Sequence, residues 1–376
     1  MEDTRVDEAL VKDPLLVETY LWLQTTENAN ILSSIWYSFY SHDCLHYFHT
    51  FLIQKELSKT QSTEQIMRED SPEIALLQYN LRTFGIQWIV PKLTGPVRKI
   101  ICSKSSFEID PNRLENKEQH QKNLTKLLRF VSSIFDSFFG NIDDIPQQIV
   151  ETCQIIHQQT KEKFPDSKYR ALASYLFLRF ICPAISSPDS YDIVKRGTVT
   201  RETRRKLVLV TKIIQSVVNN APNSNESYMN VVNDFVAQKV EQLDLFFDTI
   251  LAKKYDGTFV KKGFKCPVLV DSLVFHQQNL VSCLANAYYK LEDDFFDTYS
   301  GPFQDYLVGT RELCKQVYEQ ETVLCSPTTR FASFVPVKRG VSKKDARLFR
   351  RRKFSLPFRT FQPKNRKFQD CDAFLQ

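Results

Sequence analysis

The chain has 376 residues, 42% of them hydrophobic, enough to fill a sizeable core in one large domain or two ordinary ones. Nine glycines stand against 29 phenylalanines, and long stretches lack the turn residues that punctuate sheets, so an all-α fold is expected. The formal charge of +6 is uneven: thirteen Lys or Arg and one acid, Asp345, lie between Lys338 and Lys367, so that segment carries +12 and the rest of the chain −6.

The first residues, Met1 to Asp7, have no basic flank with an apolar run behind it, and no stretch holds about 18 uncharged apolar residues, so neither a secretory leader nor a membrane span is expected. The nine cysteines fall irregularly between Cys44 and Cys371 without a CxxC pair, which reads as reduced thiols of a cytoplasmic protein. Cys371 stands too far from the last residue for a prenylation box.

In chain order, His42, His46 and His49 come first, with Cys44 among them. Their spacing would suit zinc, but no HExxH pattern accompanies them and the Tyr/Phe-rich surroundings favour a packed helix face, so no metal is expected. Asp70-Ser71-Pro72-Glu73 reads as a helix start, with Asp70 or Ser71 as cap, Pro72 in the first turn and Glu73 at the positive end. Leu124, Leu127, Leu128, Val131, Ile134, Phe135 and Phe138 form an apolar stripe at helical spacing that stops at Gly140. A helix from about Pro146 puts Ile149, Cys153 and Ile156 on one face and ends at Pro165. The next is expected to be capped by Asp166 or Ser167 and to run from Tyr169 to Cys182, before Pro183. Further helices are expected over 200–219, 226–251 and 268–291, and near Cys325 the helical pattern gives way to a Phe- and Arg-rich segment. Gly140, Gly197 and Gly257 stand singly, so no nucleotide-cradling loop is expected.

Residues 172–188 read LASYLFLRFICPAISSP, apolar on every side of a helix and therefore expected to be buried nearly all round. Arg179 sits in the middle of it. A guanidinium taken out of water costs several kcal/mol unless its donors are met, and five N–H groups suit carbonyls or a carboxylate on a neighbouring loop. A side chain that snorkels to the surface is the alternative.

FLRFICPAISSP resembles the signature of the Ras GTPase-activating (RasGAP) domains, among them that of neurofibromin. The likeness continues upstream in FEIDPNRLENKEQHQKNL from Phe107 and downstream in RKLVLVTKIIQSVVNN from Arg205 and NDFV from Asn233. It implies an elongated all-α protein: N-terminal accessory helices over 1–60, a catalytic domain over 61–258, C-terminal accessory helices over 259–325 and a basic, Phe-rich tail over 326–376.

The resemblance implies stimulation of GTP hydrolysis on a Ras-family small GTPase in its GTP form, through an arginine supplied in trans, with no independent enzymatic activity. Mg²⁺ and GTP would arrive on the partner, and the chain would hold no cofactor of its own. At the family's spacing from Gly85 the arginine finger falls on Arg68, in IMREDSPE, where Met67 stands for Phe, Asp70 for Asn, and Pro72 and Glu73 replace Leu and Ala. A second register would put Ser41 at the arginine's place, with a long insertion before Gly85. By the same resemblance Arg179 braces the finger loop, and Glu69, Asp70, Ser71, Asn123, Leu178, Pro183, Gln215, Asn233 and Lys239 line the surface that receives the GTPase. The rival is a scaffold of the same fold that binds GTP-loaded partner without accelerating hydrolysis.

The tail interleaves Arg350, Arg351, Arg352, Lys353 and Phe354. Such a segment suits anionic lipid at the inner face of a membrane; a nuclear import signal, an RNA-binding arm and a solubilising tail remain open, and no nucleic-acid partner is expected for the domain.

Overall fold

The computed structural model describes residues 31–114, 116–220 and 227–254, with 10–12, Val17, Tyr20, Leu21, His276, Asn279, Leu280 and Cys283 besides. Apart from those last four, each helical, the helix expected over 268–291 lies outside the described residues, as do the boundary near Cys325 and the tail with Arg350, Arg351, Arg352, Lys353 and Phe354. Among the described residues every regular element is a helix, and none is long and apolar enough to cross a membrane.

The chain divides into two compact units, Asp43–Val270 and one that joins Met1–His42 to Asp271–Phe374. In the second, helix α1 (Ile31–Ser41) buries Ile31, Ile35, Trp36 and Phe39, and Tyr37 stacks on the His276 ring at 4.3 Å. Ser34 Oγ lies 3.1 Å from His276 Nδ1, and Tyr20 donates to the Leu280 carbonyl at 2.9 Å. His42 lies in the turn after α1, whereas His46 and His49 are on the next helix, so the three histidines do not share one helix face. The break falls at Asp43, whose φ of 57° no continuing helix adopts. Among the described residues no His, Cys, Asp and Glu side chains are grouped to hold a metal ion.

The Asp43–Val270 unit carries the remaining helices: α2 (Leu45–Lys59), α3 (Pro72–Cys102), α4 (His120–Phe139), α5 (Gln147–Lys163), α6 (Arg170–Ala173), a π-helical segment (Ser174–Ile181), α7 (Cys182–Ser186), α8 (Arg201–Asn219) and α9 (Asn233–Ala252). The predicted stripe is α4, with Leu124, Leu127, Val131, Ile134, Phe135 and Phe138 buried. Helix α8 falls on the expected span; it is capped by Thr200, whose Oγ1 accepts the Thr203 N–H at 3.2 Å, and ends at Asn220 in the left-handed conformation.

Three expectations need correction. Asp166 and Ser167 do not cap a helix; they lie in a short 3₁₀ turn, and α6 begins at Arg170 with no side-chain cap. Tertiary ties override the local signal: Lys168, at φ 45°, pairs with Asp244, and Tyr169 donates to Asp248, both acids on α9. The helix then passes from α to π at Ser174 and continues through Pro183, whose missing N–H leaves a carbonyl of the preceding turn without its helical donor. Finally, a 3₁₀ segment, Ser227–Val232, precedes α9, which starts only at Asn233.

Phe177 of the π segment lies at the centre of the core, with Phe135, Phe138, Phe246 and Phe247 around it at ring distances of 6.0 to 6.4 Å. Helix α3 packs on the same segment so closely that a Cβ at Gly85 would stand 2.5 Å from the Phe180 ring. These contacts fix the axis from which Arg179 projects.

Candidate functional site

The loop between α2 and α3 carries Arg68. Its entry is held by Lys163 of α5, which donates to the Thr60 carbonyl at 3.0 Å and to that of Leu57. Turns then follow in succession, Gln65 N–H to Ser62 O at 3.1 Å and Arg68 N–H to Gln65 O at 3.0 Å. Ile66 and Met67 bury their side chains, and Met67 takes a φ of 58°. A left-handed conformation costs a non-glycine residue about 1–2 kcal/mol, so the surroundings must impose it. Burial of the Met67 side chain and a bond to its carbonyl do so, and together they turn Arg68 outward, where it is exposed.

That bond comes from Arg179. Its Nε donates to Met67 O at 3.1 Å, one Nη to Glu69 O at 2.8 Å and the other to Asp70 Oδ1 at 2.7 Å. Three donors of one planar fork thus grip the residues on both sides of Arg68. The Arg179 side chain is 16% exposed, not fully buried, because Asp70 lies at the surface with 96% exposure. On the other side Gln78 of α3 donates to the Arg179 carbonyl at 3.3 Å, and the π geometry, often found where a helix serves a site, brings these groups together. Leu178 and Pro183, half-buried, flank Arg179 on the same continuous helix. Ser71 caps α3, its Oγ accepting the Ile74 N–H at 3.2 Å.

Arg68 is not loose. One of its Nη groups donates to Asn219 Oδ1 at 2.6 Å, at the last residue of α8. Arg170 reaches the Asn219 carbonyl at 3.5 Å and Glu64 at 3.4 Å. Partial shielding of the guanidinium from water first, and then the charge of Arg170, against the pull of Glu64 and with that of Arg179, bring the Arg68 pKa below its ordinary value, though a guanidinium stays charged at any physiological pH. Arg170 and Asn219 were not legible as site residues: Asn219 is simply one asparagine of the pair that ends α8, and Arg170 one charge among many.

The other expected groove residues are on adjoining helices, α8 packing against both α4 and α9. Asn123 is buried and donates to the Glu108 carbonyl at 2.9 Å, so its amide holds the 103–110 segment. Glu108 in turn receives Arg205 through two bonds of 2.9 Å; burial alone would raise its pKa, but these bonds hold it below the usual carboxylate range. Gln215 is exposed, Asn233 is half-buried in the first turn of α9, and Lys239 is nearly buried, over the Phe235 ring with its ammonium on Gln242 at 2.8 Å.

Residues 115–219 match the family model of the GTPase-activator protein for Ras-like GTPase. Residues 115–219 are therefore those of a RasGAP domain. It is 28% identical over 204 residues to the probable Ras GTPase-activating-like protein ngap of Dictyostelium discoideum, which covers 53% of this chain and 23% of that protein. With the inhibitory regulator protein IRA1 of Saccharomyces cerevisiae it shares 28% identity over 215 residues, 55% of this chain and 7% of the relative. With human Ras GTPase-activating protein 1 it shares 26% over 203 residues, 53% of this chain and 19% of the relative. The chain therefore spans under a quarter of the length of these relatives. The matched family segment holds Arg179, Asn123, Gln215 and Asn219 of the RasGAP domain, while Arg68 lies ahead of it.

Proposed function

We propose that this RasGAP domain accelerates GTP hydrolysis on a Ras-family GTPase in its GTP form, with Arg68 entering the partner's active site as an arginine finger. The observation that carries the proposal is the grip of Arg179 on Met67, Glu69 and Asp70, which holds the loop on either side of an exposed arginine. Hydrolysis is slow where the charge that develops on the phosphoryl oxygens is incompletely neutralised; a guanidinium delivered from outside neutralises it and forks onto the oxygens. Delivery is effective only if the arginine is already in place, because ordering a free loop at the moment of reaction would add to the barrier.

In this account Arg68 acts on the phosphate and Arg179 positions it without touching substrate. Glu69, Asp70, Ser71, Leu178 and Pro183 surround that pair, and Asn123, Gln215, Asn233 and Lys239 lie along the helices that would receive the GTPase. Magnesium and nucleotide come with the partner. The basic segment between Lys338 and Lys367 would hold the protein at an anionic membrane surface, where Ras-type substrates reside.

The test is single-turnover GTP hydrolysis by a panel of Ras-family proteins with and without the full chain. Acceleration of at least one member supports the proposal. Binding that depends on GTP without any acceleration would instead assign the chain to the scaffold class.

A further inference from the structure

The RasGAP finger loop has a second anchor. Glu56 lies in the last turn of α2, only 3% exposed, and its Oε2 accepts the Ser71 hydroxyl at 2.8 Å. The neighbouring cation is not its direct partner: Lys59 gives its ammonium to Glu73, at 2.8 Å, a second carboxylate that is also buried. A buried carboxylate whose direct partner is a hydroxyl is an unfavourable choice where an apolar side chain would pack, so a tie to that hydroxyl is the reason for it.

The Ser71 hydroxyl has one proton and two lone pairs. The proton goes to Glu56 and a lone pair takes the Ile74 N–H, which fixes the side chain in its capping rotamer. Donation to a carboxylate also strengthens the oxygen as an acceptor. Ser71 directly follows Asp70, the last residue gripped by Arg179. The loop is therefore held on one side by Arg179 and at its junction with α3 by Glu56. Burial raises the Glu56 pKa; Glu73 and Glu69 push the same way, and the Ser71 bond and Lys59 oppose them. The groups facing Glu56 are thus two acids, one lysine and the serine.

We infer that Glu56 is a positioning residue for Arg68, acting through Ser71 to fix where the finger loop joins α3. This rests on the proposed GTPase-activating function.

The experiment compares the full chain with Glu56→Ala, Glu56→Gln, Ser71→Ala and the Glu56→Ala/Ser71→Ala pair. It measures stimulated hydrolysis over a range of GTP-loaded GTPase, and amide hydrogen exchange across residues 66–74 of the free protein. Glu56→Ala should lower kcat about tenfold with KM changed less than about threefold, since a displaced catalytic group costs rate before it costs binding. Glu56→Gln, whose amide oxygen still accepts the hydroxyl, should recover most of that rate and the protection of the Ile74 amide. The double variant should be no worse than Ser71→Ala, as expected of two residues that act through one bond. Unchanged kcat and unchanged exchange in Glu56→Ala would overturn the inference, as would a Glu56→Gln no better than Glu56→Ala. Failure of the wild-type chain to accelerate any GTPase would instead defeat the functional proposal, while the exchange data would still decide whether Glu56 holds the loop.

Discussion

Arg179 Nε donates to the carbonyl of Met67 at 3.1 Å, and Met67 is the residue immediately before Arg68. The bond secures a left-handed residue that would otherwise relax, and relaxation there would swing the next side chain out of line. Replacing Arg179 by Ala is expected to reduce stimulated hydrolysis about 10²-fold or more while GTP-dependent binding persists. Arg179→Lys should recover little, because one ammonium cannot reproduce a planar fork with three acceptors. Asp70→Ala removes one exposed partner of the three and should cost less than about 1 kcal/mol. Equal losses for Asp70→Ala and Arg179→Ala would mean that the backbone grip is unimportant.

Gly85 sets how closely α3 approaches the Arg179 segment. A methyl group there meets the Phe180 ring at 2.5 and 2.7 Å and Ile149 at 3.1 Å, in a region where Phe180 is 1% exposed and cannot turn aside. Gly85→Ala should destabilise the unit by about 1–3 kcal/mol, read as a lower Tm, and should weaken activity through Arg179, the neighbour of Phe180. A variant with wild-type Tm would show that the helices separate freely.

His49 gives the protein an acid sensitivity unrelated to the finger. Its ring is buried, with Nδ1 3.1 Å from Thr152 Oγ1, and burial, followed by the charge of His46, pulls its pKa to about 3. In the unfolded chain the ring titrates near its ordinary value of about 6.5. Below that pH the unfolded state takes a proton that the folded state refuses, so stability present above about pH 6.5 is lost as pH falls toward 3, by up to about 1.4 kcal/mol per pH unit. Chemical denaturation between pH 7 and 4.5 should show this slope in the wild type and a shallower one in His49→Gln. Equal slopes would place the acid sensitivity elsewhere.

The segment Lys338–Lys367 supplies an independent prediction. With about 1 kcal/mol per basic residue near an anionic surface, the full chain should sediment with vesicles rich in phosphatidylserine, and salt should release it. Changing Arg350, Arg351, Arg352 and Lys353 to Ala should weaken that binding without altering hydrolysis measured in solution. Binding to RNA in place of vesicles would assign the segment to a different partner.

Much of the helical scaffold was legible because its signals are local. The α4 stripe repeats at helical spacing, and Ser71-Pro72 marks a helix start. Arg179 stood out because a charge in an apolar run needs partners, and the loop carbonyls it meets are of the kind that argument calls for. The π turn was not legible, since a one-residue change in hydrogen-bond offset leaves no composition signature. Nor was the left-handed Met67, where no glycine marks the position, or the start of α6 after the false cap at Asp166. The contacts of Arg68 with Asn219 and of Glu56 with Ser71 join residues that carry no sign of each other in the sequence.

Single-turnover GTP hydrolysis with the wild-type chain beside Arg68→Ala on the same GTPase decides whether Arg68 is the finger. The variant should lose at least about 10³-fold in stimulated rate, the range in which the loss of an arginine finger falls in well-studied Ras–GAP pairs, while it still binds GTP-loaded partner. An Arg68→Ala variant that accelerates hydrolysis as well as the wild type would contradict that role and move the catalytic group elsewhere on the domain.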